Sequence, residues 1–122
     1  MMIHLLATLL LLAFPGSLNA NEPLSVAVSP LQSLAPANLV VRVHVQPDAG
    51  NRGLEIVAES ASYYRSSVID LDGADAPTSA SLELRNVPGG DYDVTATLID
   101  SAGKHRTSVS QHVIVIDAAD RQ

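Results

Sequence analysis

Five groups of side chains in this 122-residue chain are of types that could do chemistry. Asp70-Leu71-Asp72-Gly73-Ala74-Asp75 sets three carboxylates around a glycine, and hard cations such as calcium take clustered oxygen ligands. A full calcium loop also needs a longer acidic pattern ending in a bidentate glutamate, which is absent, so these aspartates read as turn residues. His44, His105 and His112 offer imidazoles of the kind that bind copper or zinc. With no cysteine in the chain, they read as solvated surface histidines, and no metal or other cofactor is expected. Ser66-Ser67 lies in no Gly-x-Ser-x-Gly setting, and Glu55 and Glu59 share the exterior of one strand. No catalytic constellation emerges, and the chain reads as a non-enzyme. Tyr63-Tyr64-Arg65 joins aromatic and guanidinium groups, a composition enriched in protein interfaces. Adjacent strand residues face opposite ways, so one tyrosine should pack inward while the other is exposed.

The elements that must carry these groups are short strands. Leu24, Val26 and Val28 alternate with small or polar residues. Pro30 and Pro36 bracket a connector, because proline donates nothing to a ladder. Leu39, Val41, Val43 and Val45 share one face of the clearest strand, with Arg42, His44 and Gln46 opposite. The turn formers of Pro47 to Gly53 lead into Leu54-Glu55-Ile56-Val57-Ala58-Glu59. Ser60 to Asp70 has no firm period and suits an edge strand followed by a crossover. After Gly73 and Pro77, alternation resumes over Ser81 to Val87 and again over Tyr92 to Leu98. Gly103 closes a hairpin turn, where it is free to take positive φ. A last strand follows over about Ser108 to Asp117. Short strands at roughly 8–12-residue spacing predict two antiparallel sheets packed as a sandwich.

The run Val87-Pro88-Gly89-Gly90-Asp91-Tyr92-Asp93-Val94-Thr95-Ala96, followed by Asp100-Ser101-Ala102-Gly103, resembles the penultimate strand and final hairpin of bacterial exported immunoglobulin-like and fibronectin III-like domains. The resemblance implies an immunoglobulin-like antiparallel sandwich of about seven strands. It also implies a corner in which Pro88 and Gly90 turn the chain and Tyr92 packs and bonds nearby backbone, with Gly103 in the hairpin turn. Ile56 takes the place of the tryptophan of antibody-type domains, and their cysteine pair is absent.

Composition sets the location and narrows the partners. Met1 to Ala20 holds an apolar run from Leu5 to Phe14, then Pro15-Gly16 and small residues, in the order of a secretory signal. The run is shorter than the roughly 20 residues that span a bilayer. Cleavage after Ala20 would leave residues 21–122 as a single domain in the periplasm or outside the cell, with a frayed tail from about 118. All charged residues lie in that part, with a net charge of −6, which disfavours nucleic acid and anionic lipid. Tyr63, Tyr64 and Tyr92 are its only aromatic residues, too few for the stacking platforms of carbohydrate or single-strand binders. The expectation is an exported, non-catalytic binding or structural domain that contacts a protein partner through Tyr63, Tyr64 and Arg65. The alternative is a periplasmic metal carrier using His44, His105 and His112 or the Asp70–Asp75 turn.

Overall fold

Period-two alternation of apolar and polar residues recurs along the chain, and each run of it forms a strand with its apolar side turned inward. The computed structural model describes residues 22–117. The expected leader of residues 1–20 and the tail from 118 lie outside these. The strands are β1 (Leu24–Ser29), β2 (Gln32–Leu34), β3 (Ala37–Val45), β4 (Gly53–Glu59), β5 (Tyr64–Asp70), β6 (Ser79–Val87), β7 (Gly90–Ile99) and β8 (His105–Ile116). A short 3-10 turn, Gly73–Asp75, lies between β5 and β6.

Two sheets face each other as a β-sandwich, one ordered β1-β3-β6 and the other β2-β8-β7-β4-β5. Between them lie Leu39, Val41, Val43 and Val45 of β3, Leu54, Ile56 and Ala58 of β4, and Tyr92, Val94, Ala96 and Leu98 of β7. Leu24, Val28, Ala37, Leu71, Leu84, Val87, Val113 and Val115 complete this core. Fully burying one Leu, Val or Ile side chain contributes about 1.5–3 kcal/mol. Ile56 is 1% exposed and packs like its neighbours.

The expectation of about seven strands, all antiparallel, needs correction. The segment between Pro30 and Pro36 is not a bare connector: Gln32, Ser33 and Leu34 pair in parallel with Ile114, Val115 and Ile116. The prolines flank this ladder rather than interrupt it, so the missing proline N–H is no obstacle. There are eight strands among the described residues. β5 is the expected edge strand, pairing among the described residues with β4 alone, over a ladder without bulges.

The crossing from β6 to β7 changes sheets at Pro88-Gly89. Tyr92 is wholly buried there, and its hydroxyl donates to the Pro88 carbonyl at 2.7 Å. Burial pushes the Tyr92 phenol pKa up. The Tyr63 ring meets that of Tyr92 edge to face, with centroids 5.6 Å apart. Gly103 takes φ 82 in the β7–β8 hairpin, where Asp100 Oδ1 accepts the Ala102 and Lys104 amides, both at 2.9 Å.

Candidate functional site

The β3–β4 connection is built from Pro47-Asp48-Ala49-Gly50-Asn51-Arg52, a run rich in residues that bond their own backbone. Asp48 Oδ1 accepts the Gly50 amide at 2.8 Å, and the Asn51 amide donates to the Asp48 carbonyl at 3.0 Å. The loop folds back on itself and carries Asn51 inward, where it is only 2% exposed. A buried amide side chain needs partners. Asn51 Nδ2 donates to the Gln46 carbonyl at 3.1 Å, and its Oδ1 accepts Arg106 Nη1 at 2.8 Å.

Arg106 enters from the start of β8, directly after the hairpin. Its Nη1 also donates to Asp48 Oδ1 at 3.1 Å. One guanidinium nitrogen is thus held by a carboxylate and a buried amide from a loop more than fifty residues earlier. The Gly50 amide, and then Arg106, hold the Asp48 carboxyl below its ordinary range, so it stays charged beside the guanidinium. Gly50 is required by this approach: a Cβ there would lie 2.6 Å from Arg106 Nη1. Around the cluster opens a cavity of about 330 Å³, lined by Pro23, Gln46, Asp48, Asn51, Leu98, Arg106 and others. The remaining guanidinium N–H groups make no hydrogen bond among the described residues, which leaves fixed donors and the second Asp48 oxygen beside that space.

The loop is braced from behind. The Arg52 amide donates to the Ile99 carbonyl at 2.8 Å, and the Gly73 amide to the Asn51 carbonyl at 3.0 Å. Gly73 lies at φ 59, and a Cβ there would press on the Ala49 carbonyl oxygen at 3.2 Å. The Asp70–Asp75 segment therefore supports the pocket loop from outside.

The side chains singled out in the sequence lie elsewhere. Tyr63 turns inward against Tyr92, Tyr64 is 63% exposed on the outer side of the five-stranded sheet, and Arg65 lies on the other side of β5, in register with buried Ala58. The three do not form one surface. Pro88, Gly90 and Tyr92 meet at the sheet crossing, while Gly103 stands alone in its hairpin. His44 sits on β3 in one sheet, whereas His105 and His112 sit on β8 in the other. His112 of β8 pairs with Asp93, its register partner on β7, at 3.2 Å. Among the described residues, no three His, Cys, Asp or Glu side chains come together to hold a metal ion. Sequence reasoning passed over Asn51 and Arg106. The local signal was the Asp-x-Gly-Asn turn, but its partner arginine is brought close only by the pairing of β4, β7 and β8.

No protein-family model and no curated protein matches the sequence. Solved structures do share its fold. The superoxide reductase (neelaredoxin) from Ignicoccus hospitalis superposes with a TM-score of 0.61 at 13% identity, over 77% of this chain and 80% of that one. A family 76 glycoside hydrolase from a bovine Bacteroides thetaiotaomicron strain gives 0.53 at 18% identity, over 75% of this chain and 20% of that one. At these identities the likeness is one of fold. It corrects the expectation of a non-catalytic contact domain. That expectation rested on the lack of a catalytic constellation in the sequence, yet 80% of the length of a superoxide reductase superposes on this same sandwich.

Proposed function

We propose that this protein recognises a small polar molecule at the Arg106 pocket, on an exported sandwich of immunoglobulin-like architecture. The observation that carries the reading is the fixing of Arg106 Nη1 by Asp48 and buried Asn51 at the rim of a cavity of about 330 Å³. A guanidinium anchored through one nitrogen keeps its other N–H groups oriented at little further entropic cost, which favours a planar oxygen pair such as a carboxylate. Asp48 cancels the charge of Arg106 and adds an acceptor beside it. The pocket therefore suits a ligand with an acceptor pair and a donor on neighbouring atoms, the pattern of α-amino and α-hydroxy acids.

Two features support the rest of the reading. The order β1-β3-β6 against β2-β8-β7-β4-β5, with a buried tyrosine bonded to backbone at the start of β7, supports the immunoglobulin-like part of the reading. The apolar run from Leu5 to Phe14 ahead of small residues supports export to the periplasm or beyond.

Calorimetric titration of the purified protein with a panel of amino acids, hydroxy acids and simple carboxylates tests the pocket. At least one class should bind, and Arg106→Gln should weaken it at least tenfold while the far-ultraviolet spectrum stays that of the folded protein. Binding that Arg106→Gln leaves untouched, or no binding anywhere in the panel, overturns the proposal.

A further inference from the structure

We infer that the protein pairs with a second copy of itself through the outer edge of β5, joining two five-stranded sheets into one continuous sheet. Among the described residues, nothing pairs with that edge. An open edge presents unpaired N–H and C=O groups and is commonly blunted by proline, lysine, a bulge or a very short strand. β5 has no proline, lysine or bulge, and its only charges are Arg65 on the inner side and Asp70 at its end: its sequence is Tyr-Arg-Ser-Ser-Val-Ile-Asp, and its seven residues pair with β4 without a register shift.

The side chains choose the partner. Tyr64 and Val68, 63% and 61% exposed, are large apolar groups standing four residues apart on a side of the strand that otherwise carries Ser66 and Asp70. In an antiparallel pair of identical strands related by a two-fold axis, residues directly opposite share a side of the sheet. Centring the axis on Ser66 sets Tyr64 of each copy opposite Val68 of the other, on either side of a Ser66 pair. Both exposed apolar groups thereby find an apolar neighbour. Arg65 falls opposite the partner's Ser67, and Asp70 opposite the partner's Ser62, so no like charges face each other. Moving the axis to Ser67 would set Tyr64 against Asp70 and Val68 against Ser66, which satisfies neither. The strand carries one Arg and one Asp, so it is neutral although the chain carries a net charge of −6.

The chain has no cysteine, so an introduced one reports register without interference. Ser66→Cys places two thiols opposite each other at the strand-pair spacing of about 4.5–5.5 Å between Cα atoms, within disulfide reach. Tyr64→Cys leaves them offset by four residues, about 13 Å along the strand rise, well beyond that reach. Sedimentation equilibrium over a micromolar to millimolar series should show the mass of the purified protein rising from monomer toward dimer. Ser66→Lys, which sets two like charges face to face on the axis, should hold it at the monomer mass with an unchanged melting curve at low concentration. Under mild oxidant, Ser66→Cys should cross-link at least tenfold faster than Tyr64→Cys. A wild-type protein that stays monomeric throughout, a dimer that Ser66→Lys leaves intact, or equal cross-linking of the two cysteine variants overturns the inference.

Discussion

Asp48 and Asp100 do the same job in two loops: each offers one carboxylate oxygen to backbone amides that would otherwise go unpaired. Their charged form is favoured in the fold, chiefly by the Gly50 amide for Asp48 and the Lys104 amide for Asp100, and both pKa values fall below the ordinary 3.8. A carboxylate with a depressed folded pKa adds stability that is present above its unfolded value and is lost as pH falls through the folded one. The urea midpoint should therefore drop on acidification below about pH 4 through these two groups. Replacing both with asparagine keeps an acceptor oxygen in place and should flatten that drop, as chemical unfolding across an acid series would measure. Single residues also show where the sequence was readable. The Gly103 turn and the Tyr92 corner are local motifs, visible within a dozen residues. Asn51 and Arg106 are linked only through the sandwich, and an isolated Arg after a hairpin carries no local sign of its partner.

Strands with clean alternation, β3 and β7 above all, were legible because their inner faces are uniformly apolar and lie in the middle of their sheets. β2 was not. Three residues with an exposed-intermediate-exposed pattern carry no period, and a parallel pairing with β8 leaves no hairpin turn to announce it. β5 was ambiguous for a related reason. As an edge strand it buries little, so neither of its faces is forced to be apolar. These differences should appear in amide exchange. Opening free energy follows burial and the number of flanking strands. The β2 amides should exchange first, and those of β7, clasped between β4 and β8, last and with the global unfolding of the domain. Hydrogen-exchange NMR would check this order, and β2 amides protected as strongly as those of β7 would contradict it.

The whole molecule is held by packing and backbone pairing without covalent staples, for it contains no cysteine. A domain of this size can gain a net stability of about 5–15 kcal/mol in that way. Its melting temperature should be the same with and without dithiothreitol, and a scanning-calorimetry shift on reduction would refute this account. Contacts between residues distant in sequence dominate the fold, so folding should be slow for its size. The pocket lies where the β3–β4 loop meets the start of β8, while the open edge of β5 belongs to the far side of the larger sheet. Ligand and second copy would therefore occupy separate ground. The arrangement of the tyrosines has an optical consequence. With no tryptophan in the chain, near-ultraviolet absorption and emission come almost entirely from three phenols in three settings. Tyr92 and Tyr63, ring against ring, report on the seam between the sheets, and Tyr64 reports on the free edge. The tyrosine signal should therefore change when the sandwich opens, through Tyr63 and Tyr92, and when the edge is covered, through Tyr64.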